Sequence, residues 1–298
     1  MLAVRYMSKA GYDSRTLETF FRKMAQHTSI TQRVRGRPNE DPADNIMSTH
    51  PRTSDRIAQA ITLARVPPNA DPRIGREDYL ARIDGMLWGD SPEEGVVHGR
   101  VFEHPELRIR FEVPPGFYLI NSPSQVSAHG PDRTVILFNQ LMQKEAAQVR
   151  DMRSYVSSWG GGRLRGVERI DVNGLEAATG SARTDTSEGV RDVRLVAIRF
   201  AKDRIYRFLF LTLPEATPRR SEDLRRVTYS FRALTEAEAK TVKTLKLRVL
   251  TVNPGDTPDK LANIMPLESY KLDWFLALNG LAPGDNLAPG AKVKVVTP

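Results

Sequence analysis

Cysteine is absent from this sequence, which excludes disulfides, thiolate zinc sites and a cysteine nucleophile. Any metal chemistry would rest on its 5 histidines and its carboxylates. No stretch approaches the roughly 18 apolar residues that a membrane helix needs, so no transmembrane segment is expected. The opening residues carry charges where a signal peptide would have its apolar core, and no export address is expected in this chain. There is no G-x-S-x-G elbow from which a serine hydrolase could be built. Gly160-Gly161-Gly162 lacks the following G-K-[ST] of a phosphate loop and reads as a flexible turn.

Concentrated charge is missing too. The net charge is +8, but residues 1–80 hold 13 basic against 9 acidic side chains, 81–245 hold 25 against 22, and 246–298 hold 6 against 5. Nucleic-acid binders gather basic residues on one stripe, and with the excess so evenly spread no nucleic-acid partner is expected.

What is present changes period along the chain. Residues 3–9 before Gly11 read as the end of a helix with a glycine stop. Leu17, Phe20, Phe21 and Met24 mark an amphipathic helix over 14–26, and residues 31–46, rich in Arg, Pro, Asn and Asp, read as a loop. Ile57, Ala60, Ile61 and Ala64 mark another helix, ended by Pro67-Pro68, and 76–87 a third. From about residue 95 the pattern alternates: Leu107, Ile109, Phe111 and Val113 interleave with Arg108, Arg110 and Glu112, as in a strand with one buried face. Asn173-Gly174 predicts a hairpin with a primed turn, and a second hairpin is expected from 193–200 through Lys202-Asp203 to 205–213. Helices are expected near 146–159 and 220–233. The last fifty residues read strand, turn, helix, helix, turn, strand, a small unit that needs tight packing. Trp88, Trp159 and Trp274 are read as core anchors.

The run from Ser48 to Ile57 holds the candidate site residues. Pro51 disfavours helix at His50, Thr53 can cap the next helix and Asp55 can sit in its positive first turn, which accounts for everything except His50 and Arg56. His98, Glu103 and His104 are spaced too far apart for a compact metal site and are read as structural.

Residues 6–12 (Y-M-S-K-A-G-Y), Thr49-His50-Pro51 with Arg56-Ile57, and the later Gly85, Gly89, Gly95, Val96, Gly99 and Phe102 to Leu107 resemble the HtpX/CAAX-protease/BepA-like zinc metallopeptidases of the gluzincin type. That resemblance implies zinc held by an H-E-x-x-H helix and a later glutamate, neither of which this sequence contains, so no zinc is expected on this chain alone. By alignment the family's E-x-x-x-D would end immediately before Met1, and a truncation that leaves out the N-terminal catalytic half is expected. The resemblance places His50 where it steadies an oxyanion or occupies the zinc's open position, with Arg56 positioning groups beside it. Val252 to Thr257, Leu261-Ala262, Leu278 to Leu281 and Pro289 to Val295 resemble a LysM module, which implies peptidoglycan-type glycans bound at Gly255, Asp256, Thr257 and Leu281. The element order of the middle part is similar to a PsbP/Mog1-like sandwich.

The expectation is therefore an α+β multidomain protein: the C-terminal helices of a metallopeptidase domain (1–90), an antiparallel α/β sandwich (91–235), a linker (236–245) and a βααβ LysM-like module (246–298). Its expected function is that of the C-terminal portion of an exported, periplasmic or cell-envelope zinc metalloendopeptidase acting on envelope proteins, inactive alone. The alternative is a non-catalytic envelope module that binds peptidoglycan or protein partners.

Overall fold

A computed structural model describes residues 2–13, 16–34 and 71–298. The chain runs α1 (Leu2–Lys9), α2 (Thr16–Val34), α3 (Arg76–Ile83), β1 (Leu87–Trp88), β2 (Val96–His98), β3 (Val101–His104), β4 (Ile109–Glu112), β5 (Tyr118–Ser122), β6 (Gln125–His129) and β7 (Val135–Gln140). It continues with α4 (Gln143–Ala146), α5 (Met152–Trp159), β8 (Arg165–Val172), β9 (Leu175–Thr186), β10 (Gly189–Ala201), β11 (Arg204–Thr212), α6 (Thr217–Ser230), β12 (Arg232–Ala233) and α7 (Glu236–Thr241). It ends with β13 (Leu245–Thr251), α8 (Pro258–Asn263), α9 (Lys271–Asn279) and β14 (Lys292–Thr297). The architecture is mixed α/β with antiparallel sheets, in two compact units: Gly89–Thr244, and Met1–Trp88 together with Leu245–Pro298.

In the unit Gly89–Thr244 a seven-stranded sheet runs in the order β5-β6-β7-β11-β10-β9-β8, and a four-stranded sheet in the order β12-β4-β3-β2. All the ladders are antiparallel; those between consecutive strands, such as β3-β4, β8-β9, β9-β10 and β10-β11, are so because tight turns reverse the chain, whereas β7-β11 and β4-β12 pair segments far apart in sequence. The hairpin of β8 and β9 turns at Asn173 and Gly174, whose φ angles of 53° and 83° are those of a primed turn, matched to the right-handed twist of the strands. The Asn173 amide also donates to the carbonyls of Tyr229 and Phe231 at 2.8 Å, which ties the turn to the end of α6.

Alternation puts the two faces of the large sheet into two cores. On one face Phe138, Tyr206 and Phe208 meet Phe102 and Phe111 of the small sheet and Leu224 and Val227 of α6. On the other, Leu195, Ala197 and Ile205 pack under Met152 and Val156 of α5. α5 starts at Asp151, whose carboxylate accepts from the Ser154 N–H at 2.7 Å and so satisfies an orphan donor of the first turn. This helix is shorter than the expected 146–159, because residues 147–151 form the separate approach to that cap.

In the other unit β1, β13 and β14 form a three-stranded antiparallel sheet. Phe275, Met265 and Val295 are fully buried in its core, with Trp88 and Trp274 packed against them. α2 lies against α9: Arg33 pairs with Asp273 at 3.0 Å and His27 meets Trp274 edge-on at 5.1 Å. These contacts explain why α2 reaches Val34, beyond the composition-based boundary at residue 31: Ile30 and Gln32 are buried at its end, so tertiary packing outweighs the polar sequence. α1 stops at a Schellman motif, with Gly11 at φ 83°, the Gly11 N–H on the Ser8 carbonyl and the Tyr12 N–H on that of Met7.

Candidate functional site

His50 and Arg56, with the helix expected over 57–64, lie outside the described residues. The other candidate residues sit on two turns of the C-terminal βααβ segment. Gly255 is exposed at φ 85°, a left-handed backbone that needs glycine, and its Cα faces open space. The Asp256 carboxylate accepts from the Asn253 N–H at 2.7 Å, closing the turn on itself. The Thr257 hydroxyl caps α8 by accepting from the Lys260 N–H, and the Lys260 ammonium donates to the Gly255 carbonyl at 2.7 Å. Three consecutive residues are thus held in one rigid, solvent-facing turn whose polar side chains are already engaged in the turn itself. Leu281 is on the other turn. It follows Gly280 at φ 68°, donates its N–H to the Leu276 carbonyl at 2.9 Å and packs half-buried on the module core. Packing therefore accounts for its side chain.

A groove of about 310 Å³ in the same unit is walled by Phe20, Met24, Trp88, Trp274 and Leu278, with Lys23 and His27 at its rim. Trp274 and Trp88 meet edge-on at 6.0 Å, so both tryptophans serve packing and line this groove at once.

A larger cavity, of about 660 Å³, belongs to the unit Gly89–Thr244. It opens on the α6 face of the large sheet, where two cross-strand rows lie side by side. One row runs Arg165, Ser181, Arg194, Phe210 across β8 to β11; the next runs Arg183, Asp192, Thr212. The Asp192 carboxylate is committed, to Arg183 through two bonds of 2.7 and 3.1 Å and to the Thr217 hydroxyl at 2.8 Å. Arg194 donates through Nε to the Thr179 hydroxyl at 3.1 Å, and burial pushes its guanidinium below its ordinary value. Arg163, Arg165 and Arg194 have no carboxylate partner among the described residues. Sequence patterning misses this cluster, because arginines on alternating strand positions read as a solvated face. Only the register brings Arg165 and Arg194 into one row.

Among the described residues no three histidines or carboxylates stand close enough to hold a metal ion. His98 donates through Nε2 to the Lys243 carbonyl at 2.8 Å, and its Nδ1 lies 3.3 Å from a carboxylate oxygen of Glu103. His104 is buried, which lowers its pKa, and its Nδ1 accepts from the Leu107 N–H at 3.2 Å. Both histidines have structural partners.

No protein-family model matches this chain, and no curated protein sequence matches it. Among solved structures it is similar to one from Bacteroides thetaiotaomicron VPI-5482, at 10% identity and TM-score 0.37, over 56% of this chain and 57% of that one. The chain thus spans little more than half the length of that neighbour. It is also similar to cyanobacterial PsbP from Synechocystis sp. PCC 6803, at 15% identity and TM-score 0.33, over 49% of this chain and 98% of that one. A third neighbour is the Saccharomyces cerevisiae Ran-binding protein Mog1p, at 13% identity and TM-score 0.32, over 48% and 98%. The last two are PsbP/Mog1-like folds, and at this similarity none of the three carries a function to the present chain.

Proposed function

We propose that this chain is the C-terminal portion of an exported zinc-dependent metalloendopeptidase acting on cell-envelope proteins, with a PsbP/Mog1-like middle unit and a LysM-like C-terminal module. The observation that carries the reading is the pairing of Thr49-His50-Pro51 with Arg56-Ile57 downstream of the Y-M-S-K-A-G-Y helix end. The Schellman stop of α1 at Gly11 and Tyr12 agrees with that helix end. Zinc does not fit the residues of this chain by themselves: the sequence has no H-E-x-x-H, and the described residues gather no set of three ligands. The ligands would come from outside it. The role left to this chain is to present His50 to the developing oxyanion, or to the open position, and Arg56 to its surroundings.

The test is to extend the reading frame upstream, look for an in-frame H-E-x-x-H, and assay zinc content and casein hydrolysis in the longer protein. His50→Ala should leave zinc content and melting temperature unchanged and change kcat, with a fall of on the order of a hundredfold where His50 steadies the oxyanion and a rise where it blocks the open position. An upstream frame without the motif, or unchanged specific activity in the variant, would overturn the reading.

A second reading, a non-catalytic envelope module holding peptidoglycan, is favoured by the rigid, exposed turn at Gly255, Asp256 and Thr257. Retention on purified peptidoglycan, lost when these three residues are replaced together, would establish glycan binding; no retention by the unaltered chain would leave the module a scaffold.

A further inference from the structure

Three guanidiniums around one cavity with no carboxylate partner among the described residues are unusual, because exposed arginines normally point away from each other into solvent. Arg165 and Arg194 are two strands apart in the same row, so their Cα atoms are separated by about 9.6 Å. Their side chains can reach one point above Ser181, whose Cα lies between them. Asp192 does not neutralise this group, since its carboxylate is taken by Arg183 and Thr217. Glu168 acts on Arg194 only through space. The Thr179 hydroxyl holds Arg194 through Nε, which leaves the terminal nitrogens of the guanidinium for a ligand and sets the plane of the fork. Beside the positive end of the cavity stand Phe210 and Leu224, an apolar wall. Its volume of about 660 Å³ lies within the range of sites that enclose small molecules.

We propose that this cavity binds a small organic anion, a phosphate or carboxylate carrying an apolar group, with Arg165 and Arg194 gripping the oxyanion and Phe210 and Leu224 covering the apolar part. The site is distinct from the peptidase reading and does not depend on it, since every residue belongs to the unit Gly89–Thr244.

The test is isothermal titration of the full chain with hexyl phosphate below its aggregation threshold, with inorganic phosphate, and with phosphatidylglycerol vesicles against phosphatidylcholine vesicles. Hexyl phosphate should bind saturably and more tightly than inorganic phosphate, and the affinity should fall as salt rises. Arg165→Gln breaks no side-chain bond among the described residues and should weaken binding about tenfold or more, the loss of one charge-assisted contact. Arg194→Gln should do the same, with its far-UV spectrum and urea midpoint checked because it also loses the Thr179 bond. Arg226→Gln, on the exposed side of α6, should change nothing. Absence of saturable binding, wild-type affinity in Arg165→Gln, or equal affinity for inorganic phosphate would overturn the proposal. Binding to anionic vesicles alone would overturn it as well, by assigning the arginines to a membrane surface.

Discussion

Lys294 offers a direct test of how the C-terminal unit is held together. It sits in the middle of β14, opposite Val249 of β13, with its backbone clamped by the Asn279 side chain through bonds of 2.7 and 2.9 Å. Its ammonium lies 5.9 Å from the centre of the Tyr79 ring on α3. Burial, with smaller contributions from the charges of Lys23 and Arg76, lowers its pKa from the ordinary 10.5 to about 8. In the unfolded chain the group keeps its proton to higher pH, so between about 8 and 10.5 the unfolded state binds more protons and stability rises with pH. Below about 8 the penalty is fully present. A shift of that size corresponds to at most about 3 kcal/mol, and because the ammonium is only part-buried, screening reduces it to about 1–2 kcal/mol. Losing the ring contact gives back roughly 0.5 kcal/mol. Lys294→Met should therefore stabilise the unit at pH 7 by about 1 kcal/mol, a rise of about 2–4 °C in Tm. The gain should vanish by about pH 10.5. Urea unfolding followed by tryptophan fluorescence, wild type and variant in parallel from pH 6.5 to 10.5, isolates this group from the other lysines and tyrosines that titrate there. A variant less stable than wild type at pH 7, or a difference that does not shrink as pH rises, would refute the reasoning.

Two further outcomes test the middle unit. Phe138 is buried at the centre of the aromatic core, 4.7 Å from both Phe111 and Phe208, so Phe138→Ala should cost about 3–5 kcal/mol in urea unfolding and erase much of the near-UV circular dichroism; a loss below about 1.5 kcal/mol would mean that the two sheets do not pack as described. Glu238 accepts from Arg232 and closes a capping box with Thr235, and these bonds, the arginine's foremost, hold its carboxyl down at about 2. The stability it contributes is present above the ordinary value of 4.5 and is lost as pH falls toward about 2. Arg232→Met should move the carboxyl back toward the ordinary range in an NMR titration, and an unmoved pKa would show that the ion pair does not form.

Much of the local architecture was legible in the residues alone. Asn173-Gly174 named its hairpin because few other residues accept two successive left-handed conformations, and the structure has them at φ 53° and 83°. The alternation read over 107–113 announced β4, although the strand itself is Ile109–Glu112 and Arg108, at φ 56°, belongs to the turn before it; Lys202-Asp203 marked the turn between β10 and β11, and Gly11 and Gly280 marked helix ends. These signals are carried by neighbours in sequence, whose backbone preferences act within a few residues.

Other features depend on partners far along the chain. α2 passes its compositional boundary because Arg33 finds Asp273, 240 residues away. Residues 71–88 join the C-terminal segment in one unit because the Gly85 N–H bonds the Leu247 carbonyl, and the Leu247 N–H that of Met86, both at 2.8 Å. The unpaired arginines of the cavity come together through the register of β8, β9 and β10, which no single stretch of sequence states. The sequence by itself determined which segments turn, alternate or coil, since those choices are made by local sterics and periodicity. Only the tertiary structure decided which charges were left without partners, because pairing is settled by distances that exist only once the strands are in register.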